Sequence, residues 1–312
     1  MIELGPGGRR WVARLAFPLV LGGAVAAAVG LIDAGLDPFA AMLSAQVPAF
    51  LAVIALERMA PHHAAWNRNH GDLGVDVGHM VTISLLTGLA DPLFRIVGVG
   101  AAAWLFGGGA LGLWPHEWPI VAQLALALVV GEFGQYWVHR LEHEKDWLWR
   151  FHALHHSAPR LYWLNAARFH PIDILLNNFA ATVPLAALGA GLEVLSLWLL
   201  VTSIHGIFQH ANMPVRIGPL NWVFSMAELH RWHHSKTLVE ANTNYGQTLI
   251  LWDVVFGTRF LPADRQPPEE IGIADLPGYP MTWLAQELSP FRWATIKAAT
   301  GAPSPEGTPP FT

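Results

Sequence analysis

The sequence predicts an all-α, integral-membrane helical bundle with a cytosolic helical cap that holds a histidine-rich di-metal site. Three observations carry this reading. Charged residues make up only 13% of the 312 positions and hydrophobic residues 53%, where a soluble domain has about 25% charged. Mean hydropathy is +0.35, the opposite of what disorder requires. There are 16 histidines and no cysteine, so a disulfide scaffold, a zinc ribbon, an iron–sulfur cluster and a thiolate-bound haem are excluded. Any metal must be held by imidazole and carboxylate. The net charge of −5 comes without a basic block, which argues against a nucleic-acid partner.

A membrane-spanning helix needs about 20 mostly apolar residues. Leu15–Ile32, Phe39–Leu56, Ile96–Leu113 and Ile120–Val138 meet that requirement, giving four long spans. The first reads as an uncleaved helix, because its apolar run is long for a signal sequence. Ile172–Phe208 is too long for one helix, and Gly189, Gly191 and Glu193 mark a turn inside it, so it reads as a two-helix hairpin. Leu73–Ala90 is also apolar. A crossing there would reverse the sidedness of all that follows, so it is expected to lie as an interfacial or re-entrant helix.

Lys and Arg collect in cytoplasmic loops. Arg9, Arg10 and Arg14 precede the first span, Arg58 and Arg68 follow the second, and Arg140, Lys145, Arg150, Arg160 and Arg168 lie between the fourth span and the hairpin. The opposite connections, around residues 33–38, 107–118 and 189–193, contain none. The expected organisation is 1–118 as N-terminal transmembrane and interfacial helices, 119–260 as the catalytic domain, and 261–312 as a cytosolic cap segment with a loose tail from Thr300 to Thr312.

Eleven of the 16 histidines fall between residues 139 and 234. His139 and His143 stand in HRLEH; His152, His155 and His156 in HALHH; His205 and His210 in HGIFQH; and His230, His233 and His234 in HRWHH. Residues i, i+3 and i+4 of a helix share a face, so such imidazoles can converge on an ion at about 2.0–2.1 Å. By chance, H-x-x-H-H should occur about 0.04 times in this composition, and it occurs twice. These two triplets and two pairs supply ten imidazoles, too many for one ion and suited to two. The proposed topology returns all four motifs to the cytoplasmic side. The nearby Trp137, Trp147, Trp149, Trp163, Trp222 and Trp232 fit an interfacial belt. His62, His63, His70 and His116 read as solvated loop residues, and His79 as a residue of the interfacial helix.

Together the motifs EFGQYWVHRLEHE, LWRFHALHHS, AARFHP, HGIFQHAN, LHRWHHS and NYGQTLILWDVVFGT, spread over residues 120–260, resemble the fatty acid hydroxylase, or sterol desaturase, superfamily. ERMAP, around Glu57 and Pro61, is similar to a stretch upstream in that family. The resemblance implies a four-helix membrane stalk with a cytosolic cap and a histidine-ligated di-iron centre beneath it. His139, His143, His152, His155, His156, His230, His233 and His234 match its ligand motifs, and His205 and His210 its looser third pair. It also implies that His170, in its His-Pro, sits just behind the ligands. Glu144 is the carboxylate expected to orient a ligand imidazole. Glu132 stands where many members have Asp, and Met226–Ala227 where many have Thr-Pro. The Asn244–Gly246 and Trp252–Thr258 stretches read as a tight turn fixing the cap.

The implied chemistry is O2-dependent hydroxylation or desaturation of an unactivated C–H bond in a sterol, fatty acyl or related lipid. It requires two iron ions, which zinc can replace in a purified sample. It also requires electrons from a separate donor protein, for which Arg140, Lys145, Arg150 and Arg160 offer a basic face. The alternative is a membrane metal-binding protein of another class, a zinc hydrolase or a metal transporter. A hydrolase would carry H-E-x-x-H, but Arg140 stands where that glutamate belongs. A transporter would place its ligands near the bilayer midplane.

Overall fold

The computed structural model describes residues 4–106 and 110–300; the expected tail lies almost wholly outside them. Six helices are long and apolar enough to cross a membrane: α1 (Pro6–Asp33), α2 (Pro38–Met59), α3 (Leu73–Phe106), α4 (Ile120–Glu144), α6 (Pro171–Leu188) and α7 (Leu192–His210). Shorter helices α5 (Asp146–His156), α8 (Ala227–His233), α9 (Leu238–Ala241), α10 (Leu251–Val255), α11 (Trp283–Glu287) and α12 (Trp293–Thr300) gather at one end of the bundle. Among the described residues there is no strand, only the isolated bridges Phe224–Leu249 and Ser235–Ile271.

The turns between antiparallel helices follow from local chemistry. After α1, Gly35 adopts φ +88° and Leu36 N donates to Leu31 O at 3.0 Å, a left-handed helix stop that favours glycine. Asp37 then caps α2, accepting from the backbone of Phe39 and Ala40, with Pro38 in the first turn. The α6–α7 turn uses Gly189 at φ +98° in the same way, at the position expected for the hairpin. Helix α7 is the hub: two thirds of its apolar window is buried, against 6% for α3. Small residues permit the closest crossings. A Cβ on Gly134 would overlap the Ala180 carbonyl oxygen, and one on Gly98 would crowd Val183 O, so α6 lies directly on α4 and α3.

The structure corrects the treatment of residues 73–113. Leu73–Ala90 is not a separate interfacial helix, and the third span does not begin at Ile96. Both belong to α3, one helix of 34 residues. Pro92 is accommodated inside the helix and Asp91 pairs with Arg95 across one turn at 3.3 Å. At 1.5 Å per residue α3 is about 51 Å long, roughly 20 Å more than a hydrocarbon core. Its N-terminal part projects beyond the bundle into the cap, where buried His79 meets Gln286 at 2.9 Å and Glu287 at 3.1 Å. One candidate span, α3, therefore stands where two separate segments are expected. The implied four-helix stalk is likewise widened to six candidate spans.

Buried ion pairs fasten the cap to α3. Arg160 forks onto Asp72 at 2.7 and 3.0 Å. Arg168 and Tyr162 each reach Asp76 at 2.6 Å. Removing one partner of such a pair costs about 3–5 kcal/mol, because a buried charge is left uncompensated. Arg160 is 2% exposed, so it cannot serve the basic docking face expected of it. Arg140 is paired with Glu144 at 2.7 Å.

Candidate metal centre

Nine histidines converge in two groups where α4, α5, α7 and α8 meet. The first holds His139, His143, His152, His156 and His233; the second holds His155, His210, His230 and His234. Within each group the ligand atoms lie within 4.8 Å of one another. Helix geometry explains the division. Residues i and i+4 lie about 40° apart around a helix and neighbours about 100° apart. His152 and His156 therefore face one group from α5 while His155 faces the other. On α8 the roles reverse, with His230 and His234 in the second group and His233 in the first. Each H-x-x-H-H triplet thus serves both groups, which adjoin through the stacked rings of His156 and His234, 4.5 Å apart.

The outer ring nitrogens fix which tautomer is present. Nδ1 of His139 faces the Tyr245 carbonyl at 2.6 Å, and that of His155 faces Arg168 O at 3.2 Å. Nδ1 of His210 faces Gly206 O and that of His233 faces Thr243 O, both at 2.8 Å. A carbonyl only accepts, so these Nδ1 atoms carry the proton. His152 Nδ1 donates to Asp173 at 2.9 Å and His143 Nδ1 to Asn242 Oδ1 at 3.1 Å. The inward Nε2 atoms are therefore bare lone pairs.

Two of these lone-pair contacts test the fit of a cation. Nε2 of His139 and His152 are 3.1 Å apart in the first group, and Nε2 of His155 and His210 are 3.2 Å apart in the second. With Nδ1 as the donor on each ring, the facing Nε2 atoms present lone pairs to one another, an arrangement that a cation between them would satisfy. Ligands about 2.0–2.1 Å from one ion sit about 2.9 Å apart at an octahedral edge and about 3.4 Å apart at a tetrahedral edge. The observed separations lie inside that range. Nε2 of His143 and of His233 are buried with no protein partner, as expected of further ligands. The residues fit two metal ions. Burial, reinforced by neighbouring imidazoles, holds His155, His156, His230, His233 and His234 well below the ordinary imidazole pKa, so all five are neutral near pH 7.

Three expected site residues stand elsewhere. His205 is outside both groups, buried between Phe17 and Phe224, and neither ring nitrogen has a hydrogen-bond partner of good geometry. His170 caps α6: its Nδ1 accepts from Ile172 N at 3.0 Å and its Nε2 donates to Glu287 O at 3.2 Å. Glu144 faces outward to Arg140 and touches no imidazole. The carboxylate that bonds a grouped imidazole is Asp173, which accepts from His152 Nδ1 and is fully buried and held by Asn177 at 3.0 Å. Glu142, also fully buried, approaches His152 Nδ1 at 3.5 Å. Such carboxylate–histidine contacts fix ring orientation and raise ligand basicity.

The turn after α9 seats the site from below. Asn244 takes φ +54° and its side chain bonds Leu229 O and Phe260 O and N. Asp253 collects the Tyr245 and Gly246 amides, which aims the Tyr245 carbonyl at His139. A Cβ on Gly246 would overlap Leu249 O. Glu132 receives the Thr248 and Leu249 amides at 2.9 and 3.0 Å. This stretch forms a hydrogen-bonded turn beneath the grouped histidines.

A family model for fatty acid hydroxylase matches residues 124–258, which contain all nine grouped histidines. The chain is 41% identical over 249 residues to an ornithine lipid hydroxylase of Rhizobium tropici, covering 77% of this chain and 73% of that protein. It is 28% identical over 170 residues to methylsterol monooxygenase 2-2 of Arabidopsis thaliana, covering 54% and 60%. It is also 28% identical over 179 residues to the alkylglycerol monooxygenase of Xenopus tropicalis, covering 56% and 38%. No solved structure matches. The motifs, the membrane helices, the paired histidine groups and these similarities agree: the chain belongs to the fatty acid hydroxylase and sterol desaturase superfamily of membrane enzymes that oxidise lipids with O2.

Proposed function

We propose that the chain is a di-iron lipid hydroxylase in which His139, His143, His152, His156 and His233 hold one ion and His155, His210, His230 and His234 hold the other. The carrying observation is the close approach of Nε2 atoms, one pair in each histidine group, at separations that suit two ligands of one ion. When bound, the irons supply the O2 activation that an unactivated C–H bond demands and that side chains cannot provide. One oxygen atom enters the C–H bond and the other leaves as water, with two electrons and two protons consumed. Without a cysteine in the chain, the electrons come from a separate donor protein. The protein's own part is to hold nine imidazoles inward, to fix six of them through Nδ1 on backbone carbonyls, the Asn242 side chain and Asp173, and to bury the centre from bulk water.

The substrate is a membrane lipid. Similarity to the ornithine lipid hydroxylase favours one whose headgroup is an amino acid. A cavity of about 580 Å³, lined by Ser84, Asp91, Arg95, Asn178, Thr182 and Trp198 among others, offers it a place between α2, α3, α6 and α7. The cavity reaches from Asp37–Phe39 and Leu192, at the end of the bundle away from the histidines, to Ser84 and Asn178. An ion pair at membrane depth marks a path for polar groups, and Asp91–Arg95 supplies complementary charges for an ammonium and a carboxylate. The histidine end faces the cytoplasm in this reading, because the connections at the other end carry no Lys or Arg.

Lipid profiling of cells with and without the protein tests the proposal, with His155→Ala as control. The wild-type chain should convert a lipid to a product one oxygen heavier, and His155→Ala should not. Identical lipid changes from both would contradict the assignment.

A further inference from the structure

A second cavity, of about 330 Å³, opens on the histidine end of the molecule, between the 214–216 segment, the back of α8 and the 261–267 loop. Its lining includes Arg216, Glu228, Arg231, Trp232, Arg265 and Gln266. Arg231 and Trp232 occupy the same helical turn as the grouped histidines of α8, on the side away from them.

The donors here exceed the acceptors. Arg231 is 2% exposed and its Nη2 donates to the carbonyls of Ala211 and Met213. Its Nε has no acceptor, and no described carboxylate lies within ion-pair distance of it. Trp232 is 1% exposed, and its indole N–H also lacks an acceptor. Arg216 is exposed and bonds only the neutral Gln266 side chain, at 2.9 Å. Arg265 lies over the Trp232 ring at 4.9 Å with its charge offset by Glu240 at 2.6 Å. Glu228 faces the cavity too, with its Oε2 engaged by Ile217 N and the Asn221 amide. Burying guanidinium and indole N–H groups without acceptors is unfavourable.

We propose that this cavity binds a phosphate group. An oxyanion seated among Arg231, Arg216 and the Trp232 N–H supplies the missing acceptors, and guanidinium forks match phosphate oxygens. A carboxylate has two oxygens for these donors, where a phosphate has up to four, and the cavity is far larger than a carboxylate needs. Its height also fits a lipid source. Arg216 N bonds Ala13 O at 2.7 Å, and about 30 Å of helix counted back from Asp33 ends near residue 13. The cavity thus lies at the headgroup layer, close to the N-terminal end of α1. A lipid phosphodiester and a free phosphate compound share this chemistry.

The test is thermal unfolding of the full chain, purified in a maltoside detergent free of phosphate and titrated with inorganic phosphate. Phosphate should raise the midpoint saturably, while chloride at matched ionic strength should not. Arg216→Ala, at an exposed position that leaves folding intact, should weaken the apparent affinity at least about tenfold. Arg231→Met should abolish the response. In phosphatidylglycerol nanodiscs, a lipid source predicts that the midpoint is already raised and that added phosphate changes nothing. A soluble source predicts that added phosphate raises it there as well. No shift with phosphate in detergent, an equal shift with chloride, or an undiminished response in Arg216→Ala would overturn the proposal.

Discussion

Asp173→Asn should weaken metal binding at the first histidine group while leaving the second intact. His152 Nδ1 donates to Asp173 Oδ2 at 2.9 Å, and Asn177 Nδ2 donates to Asp173 Oδ1 at 3.0 Å. Both oxygens are committed, and both the carboxylate and the imidazole are buried. Asparagine keeps the size but has one acceptor for two donors, so either His152 or Asn177 meets an NH2. A hydrogen bond to a charged group contributes about 1.5–3 kcal/mol, and Glu142 at 3.5 Å can recover part of it. The expected loss is about 10–100-fold in metal affinity, equivalent to about 1.4–2.7 kcal/mol. The assay is chelator competition on the purified full chain, with thermal unfolding of the metal-free protein as a folding control. Glu144→Gln is the contrast, since its carboxylate serves only a surface pair with Arg140 and should leave affinity within twofold or so. Wild-type affinity in Asp173→Asn, or an equal loss in Glu144→Gln, would refute the assignment of Asp173 as the orienting carboxylate.

His205→Phe should retain the full metal content and should not lower the unfolding midpoint, because the imidazole makes no good hydrogen bond and lies among Phe17 and Phe224; loss of one ion would return it to the ligand set. Gly134→Ala should destabilise the protein by about 1–3 kcal/mol, since its Cβ overlaps the Ala180 carbonyl, and an unchanged denaturation curve would contradict the close α4–α6 crossing. The metal-free protein should also lose stability on acidification. His155, His156, His230, His233 and His234 have pKa values held well below the ordinary one by burial. The unfolded chain therefore binds more protons than the fold once pH drops below about 6.5. A midpoint that stays level between about pH 7.5 and 5.5 would contradict neutral buried imidazoles.

The parts of the centre written in local spacing were legible before any coordinates. H-x-x-H-H marked helix faces that bring imidazoles together; the division of each triplet between two groups, i and i+4 in one and i+3 in the other, is what the structure adds. Glycine at 189 marked the hairpin because only a left-handed residue ends a helix that way. The parts that were misread depend on partners distant in sequence. Asp173 acts on His152 from 21 residues away, and nothing in its neighbourhood announces this. Glu144 was favoured for standing next to His143, yet adjacent residues on a helix diverge by about 100°, which is why it points outward. His205 and His210 are five apart, hence about 140° apart on α7; that spacing already said that both could not face one site. The break assigned before Ile96 failed because an i,i+4 ion pair lets Asp91 and Arg95 sit inside a helix, and Arg160 appeared exposed only because its partner Asp72 is 88 residues distant.

Metal counting on the purified chain bears most directly on the two-ion centre. Elemental analysis should find two metal ions per chain in the wild-type protein. It should find one in His143→Ala/His233→Ala, which strips two ligands from the first group, and one in His210→Ala/His230→Ala, which strips two from the second. A single ion in the wild type, or both ions lost together in either double variant while the protein remains folded, would contradict two separately held ions.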